Sequence, residues 1–174
     1  MEKTLKLVLP APEQKEEILN YKKEFEENRE SMDGTAGLAA AESFEAWYEA
    51  LLDNRSEETV REGLVPATTY LGVEAQSGRI VGFIDIRHRL NEYLLQFGGH
   101  IGYSVRKSER GHSYAAQMLQ LALETCRELG IKRVLITCNR GNLASEKTIL
   151  KCGGVFENET VNGQEIFRRF WIDL

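Results

Sequence analysis

The chain has 174 residues, 42% of them hydrophobic and 28% charged, the balance of an ordinary soluble domain long enough to bury a core. Its 22 Lys and Arg against 27 Asp and Glu leave a net charge of −5, the reverse of the basic excess that nucleic-acid binding asks for. No apolar run approaches a membrane span, and neither the three cysteines nor the three histidines have metal-ligand spacing, so a nucleic-acid partner, a membrane and a metal are all set aside.

The N-terminus lacks the apolar stretch of a signal peptide, which places the chain in the cytoplasm as an expectation. Residues 3–9 alternate charged and apolar positions until Pro10 and Pro12, a first strand stopped by a turn. An acidic helix follows over 13–29, with Ile18, Tyr21 and Phe25 as its apolar stripe and a charged face expected to meet only solvent. Residues 31–41 read as a flexible connection, after which Ser43 caps a helix carrying Phe44, Trp47, Tyr48, Leu51 and Leu52. The acidic flanks of Trp47 leave open a role at a substrate entrance, though core packing is the simpler reading. Ser56-Glu57-Glu58-Thr59 suggests a short helix within 54–66.

From Thr68 the pattern becomes β-rich. Strands are predicted over 68–75 and 80–89, then 101–105 after a loop or bulge ending in Gly98-Gly99. A helix over 113–129 has Met118, Leu121, Ala122 and Leu129 facing inward, and Gly130 closes it. A strand over 132–138, a helix over 143–151 and a hairpin around Asn162-Gly163 complete the order. Such a mixture predicts one α/β (α+β) domain on a mixed sheet.

The segment from Ile101 to Ala115 carries the chemistry. A strand entering a small-residue turn that opens a helix holds anions, because the first helical amides lack internal partners and the helix dipole adds positive charge there. Gly111, Ser113 and Ala115 keep the side chains short, and Arg110 adds a fixed charge.

This run resembles the acetyl-CoA signature of the GNAT superfamily of N-acetyltransferases, an Arg or Gln, two residues, Gly, one residue, then Gly or Ala. Arg110 takes the first position, Ser113 stands where the first Gly is usual, and Ala115 takes the last. The stretch from Gly98 to Arg106 is similar to the preceding strand in one bacterial branch of predicted acetyltransferases. A second block, Asn139 to Ser145 with a helix ending at Gly153-Gly154, resembles the family's other cofactor block.

The resemblance implies a mostly antiparallel central sheet flanked by helices, with two strands splayed around the pantetheine arm. It divides the single domain into 1–66 with acceptor-site helices, a cofactor core over 67–154 and a C-terminal hairpin over 155–174. By the same resemblance, backbone groups of Tyr103, Ser104 and Val105 meet the arm, and Arg110, Gly111, His112, Ser113, Tyr114 and Ala115 hold the pyrophosphate. Asn142 and Ser145 contact the cofactor from the far side. The usual proton-donating Tyr falls at Ile149, which cannot serve. His100, Tyr103 and Asp85 are then the groups left to move protons, with His100 and Tyr103 as the catalytic candidates.

The expected activity is transfer of acetyl from acetyl-CoA to a primary amine of a small molecule or peptide, with a homodimer through the terminal hairpin. The alternatives are a non-catalytic acyl-CoA-binding domain and an unrelated nucleotide-binding protein.

Overall fold

The computed structural model describes residues 4–174, so the predicted strand start at Lys3 lies outside the described residues and Leu5–Val8 form β1. A turn at Pro12–Gln14 leads into α1, Lys15–Glu27, which buries Ile18, Tyr21 and Phe25 at helical spacing. α1 ends in a Schellman turn. The Glu30 N–H bonds the Phe25 carbonyl at 3.0 Å and the Arg29 N–H bonds the Glu26 carbonyl at 3.1 Å, with Arg29 at φ 54°.

The connection over 31–41 is anchored rather than loose, because Thr35 and Leu38 are buried and the Thr35 carbonyl accepts the Trp47 indole N–H at 2.7 Å. Trp47 lies on α2, Phe44–Asp53, whose first turn is capped by Ser43 Oγ, and it is 2% exposed. Core packing therefore accounts for Trp47, and it lines no entrance. Residues 54–66 form turns instead of the predicted helix. Ser56 does bond the Glu58 N–H, but the polar residues after it offer no apolar stripe for packing to hold a helix.

β2 (Ala67–Glu74), β3 (Ile80–Arg87) and β4 (Ile101–Val105) join β1 in a four-stranded sheet of order β1-β2-β3-β4. After α3 (Tyr114–Glu128) come β5 (Arg133–Asn139), α4 (Leu143–Lys151), β6 (Val155–Asn162) and β7 (Glu165–Asp173). These last strands pair in the order β5-β7-β6. The expected central sheet is thus divided in two, and every ladder within each part is antiparallel. α1 and α2 cover one face of the first sheet through Tyr21, Phe25, Trp47, Leu71 and Phe83. α3 covers the other through Met118, Leu119 and Ala122 against Val81, Ile84 and Ile86, and the same cluster takes in Ile149 of α4 and Ile136 and Phe170 of the second sheet. Two inward assignments on α3 are corrected: Leu121 and Leu129 are 38% and 44% exposed, and Leu119, Leu123 and Cys126 take the core positions.

The two sheets share one core cluster and are hydrogen-bonded to each other at a clasp between His100 and Leu135. The His100 N–H donates to the Leu135 carbonyl at 2.7 Å, and the Leu135 N–H donates to His100 Nδ1 at 2.9 Å. Gly99, at φ 68°, makes this approach feasible, since a Cβ there would sit 2.6 Å from the Leu135 oxygen. The loop before it contains a π turn, Leu94–Gly98, and its carbonyls are taken by the second sheet. Arg169 bonds Leu95, Thr160 bonds Gln96 and Thr137 bonds Phe97. Beyond the clasp β4 and β5 part.

Candidate active site

Parting leaves one edge of β4 without a ladder partner among the described residues. The Arg106 N–H donates to the Val81 carbonyl on β3 at 2.9 Å. Strand alternation then turns the backbone groups of Tyr103 and Val105 away from β3, toward the gap. The Ser104 side chain points to the α1 face, where its Oγ lies 2.9 Å from the Tyr21 hydroxyl.

β4 runs into a turn at Lys107–Glu109 and then the start of α3. Whereas Ser43 caps α2 and Asn142 caps α4, α3 has no side-chain cap. Its first amides therefore stay available, and a Cβ on Gly111 would meet nothing within 4 Å, so the space over the turn is open. His112 and Ser113 are exposed beside it, while the Tyr114 side chain turns into the core and leaves only its backbone at the turn.

The conformation of Ser113 explains the residue usual at its position. It sits in the left-handed region at φ 59°, ψ 24°, which an L side chain adopts at a penalty and Gly does not. Its preference for Gly is thus conformational, not only a matter of room. Ser113→Gly is expected to stabilise the fold by about 1 kcal/mol, the left-handed penalty less the added chain entropy. Urea unfolding checks this, and an unchanged midpoint would refute the strain.

α1 grips this turn, contrary to the expectation of a solvated face. Arg106, 2% exposed, donates to Glu24 through Nε, to Asn20 Oδ1 at 2.7 Å and to the Ile80 carbonyl at 3.1 Å. The second Glu24 oxygen accepts the Ser108 N–H at 3.1 Å. Burial works to raise the Glu24 pKa, but hydrogen bonds from Ser108 and Arg106 outweigh it and hold the carboxyl below its ordinary value. Arg110 donates to the Val105 carbonyl at 3.0 Å and to Glu30 at 2.8 Å. Sequence reading missed Asn20, Glu24, Glu30 and Arg106. The available signal was their spacing, since Asn20, Glu24 and the aromatic Tyr21 share neighbouring helical rows with Ile18 and Phe25.

On the other side of the gap the structure brings together two residues named separately from sequence. The Tyr103 hydroxyl lies 2.8 Å from Ser145 Oγ, linking β4 to the first turn of α4. Burial pushes the Tyr103 pKa up to about 12, so the phenol stays protonated. Asn142 uses its side-chain oxygen to cap the Ser145 N–H at 3.2 Å. Ile149 is fully buried in the core.

His100 does not have the geometry of a base. Its Nδ1 lone pair is occupied by the Leu135 N–H, which leaves Nε2 to carry the proton of the neutral ring. Burial, and then the charge of Arg87, lower its pKa to about 4. Asp85 is buried as well, held by Thr69 at 2.8 Å and Arg87 at 3.0 Å. Burial raises its pKa against both partners. Among the described residues no group of three or more His, Cys, Asp or Glu side chains is arranged to hold a metal ion, and no helix is long and apolar enough to cross a membrane.

A model of the acetyltransferase (GNAT) domain matches residues 5–155. No curated protein matches the sequence. Among solved structures, Mycobacterium smegmatis RimJ in complex with CoA-disulfide is similar at 18% identity and a TM-score of 0.73, over 99% of this chain and 83% of that one. A microcin self-immunity acetyltransferase, solved with acetyl-CoA and AMP, is similar at 17% identity and a TM-score of 0.72, over 100% of this chain and 94% of that one. A chimera of the Vibrio cholerae spermidine N-acetyltransferase SpeG is similar at 17% identity and a TM-score of 0.63, over 97% and 94%. At these identities the likeness is one of fold, and the domain match, which spans most of the chain, shows the family: this chain belongs to the GNAT acetyltransferases.

Proposed function

We propose that the chain transfers the acetyl group of acetyl-CoA to a primary amine of a small molecule or peptide. The observation that carries this reading is the free edge of β4, which faces β5 across the gap and ends at the uncapped start of α3. The donor set fits the group: outward backbone N–H groups for an amide-bearing arm, then unpaired helical amides and Arg110 for phosphates. Acetyl-CoA supplies the activated acetyl carbon and the leaving thiolate.

The chain's own groups divide the remaining work. Gly111 to Ala115 present amides to phosphate, and Arg110 adds charge beside them. The N–H groups of Tyr103 and Val105 orient the arm and polarise the acetyl carbonyl, a contribution whose loss typically costs about 10²–10³ in rate. The Tyr103–Ser145 pair holds a proton on the α4 side of the gap and delivers it to sulfur. Asn142 positions Ser145 by capping its helix. His100 acts as a strut that sets where the strands part. With Asp85 engaged by Thr69 and Arg87, the amine's proton leaves to water. Relatives of this fold include enzymes named for proteins and for spermidine, and both acceptor classes carry a cationic amine.

Calorimetric titration with CoA, followed by release of free thiol in the presence of amines, tests the reading. Micromolar CoA binding with amine-dependent thiol release is expected. CoA binding without transfer to any amine would instead identify a non-catalytic acyl-CoA-binding domain, and binding of ATP or a dinucleotide in preference to CoA would overturn the cofactor assignment.

A further inference from the structure

The contact between α1 and the cofactor turn has a consequence for affinity. Building on the proposed function, we infer that Glu30 sets the affinity of this site for phosphate by holding the Arg110 guanidinium that phosphate would take. Arg110 Nη1 lies 2.8 Å from Glu30 Oε2, Nε donates to the Val105 carbonyl, and the guanidinium sits over the Phe25 ring at 5.9 Å. These three partners fix the guanidinium beside the start of α3. Glu30 is equally anchored at its backbone, because it is the third residue past α1 and its N–H closes the Schellman turn on Phe25.

A phosphate arriving at Gly111 to Ala115 meets an arginine already neutralised by a carboxylate, so it must displace Glu30 or tolerate a like charge. The pair is built to yield. Glu30 Oε1 is closed off from solvent and has no hydrogen-bond partner, an unfavourable state that ends when the carboxylate swings out to water. Both side chains are partly exposed, 43% for Arg110 and 34% for Glu30, so little protein must move for the exchange. Phosphate also gains more from the planar fork of Arg than a carboxylate bound through a single oxygen. Glu30 lies outside the cofactor signature, and its effect would be to weaken CoA binding and allow release after turnover.

CoA affinity by titration calorimetry, on the full chain and three variants, tests this, with thermal unfolding as a check that each variant is folded. Glu30→Gln is expected to tighten CoA binding about 5-fold at low salt, the scale of one exposed ion pair, and the gain should shrink as salt rises. Arg110→Ala should weaken binding about tenfold, and Glu30→Gln added to it should change nothing further, since the two residues act through one contact. Unchanged or weaker binding by Glu30→Gln overturns the inference. So does a gain that persists without Arg110, which would mean that the carboxylate acts only through its general field. If the unaltered chain fails to bind CoA, the proposed function itself fails. If CoA binds but is insensitive to Glu30, only this inference does.

Discussion

Glu24→Ala is expected to lower the unfolding free energy by about 3–5 kcal/mol, the largest loss from any single side chain around the turn between β4 and α3. The reason is what it leaves behind. The Arg106 side chain is 3% exposed, and without Glu24 its charge keeps the neutral partners Asn20, the Ile80 carbonyl and the Tyr21 ring but no counter-ion. The Ser108 N–H loses its acceptor at the same time. For a domain of this size the loss corresponds to a fall in Tm of roughly 10 °C. A double variant, Glu24→Leu with Arg106→Met, removes both charges and should recover most of the stability, because the penalty belongs to the orphaned ion and not to the absent pair. The pH dependence has a definite sign. The folded carboxyl titrates below its ordinary 4.5, so its contribution is complete above that value and is lost as the pH falls through the folded one. Urea unfolding at pH 7 and at successively lower pH should therefore show the cost of Glu24→Ala large and then shrinking as the folded carboxyl takes up its proton. A cost under 1 kcal/mol at pH 7 would mean that Arg106 finds water where the structure shows burial.

This network also marks where sequence reading ends. The order of strands and helices was legible because each element carries a local signal: the stripe of Ile18, Tyr21 and Phe25, the Ser43 cap, the Asn162-Gly163 turn. The strand–turn–helix from β4 to α3, which the proposed function assigns to the cofactor, was legible because its small residues and Arg110 are contiguous. The parting of β4 from β5 was expected only through the family resemblance, since the clasp that sets it depends on Leu135 meeting His100 across 35 residues, and no local pattern encodes that pairing. The same limit hid the α1 grip. Glu24 and Arg106 are 82 residues apart, and each alone reads as an ordinary surface charge. His100 shows the converse error. Its intrinsic pKa suits a base, but folding puts a backbone N–H on its lone pair. Ser113 was read by side-chain size, while the constraint lies in its backbone angle, which composition does not show.

Tyr103 and Ser145 pose the second large expectation, and here the effect is on rate. The two hydroxyls are 2.8 Å apart, so one donates to the other and the pair retains one further proton. With the phenol pKa pushed up to about 12 by burial, that proton is held throughout the working range and is poorly matched to rapid donation. General-acid contributions typically span about 10²–10⁴, and this mismatch places the pair at the lower end. Tyr103→Phe is therefore expected to reduce kcat about 10²-fold while leaving the KM for acetyl-CoA within about threefold, because a proton given to sulfur matters only as the thiolate leaves. Ser145→Ala should behave alike, and the double variant should be no worse than the worse single one, as expected of residues that act as a unit. Losses that multiply would mean two separate roles. A rise in KM with unchanged kcat would make Tyr103 a binding residue whose hydroxyl only ties β4 to α4. Full activity in Tyr103→Phe would return the proton to water, and the contribution of the gap would then rest on the β4 amides alone.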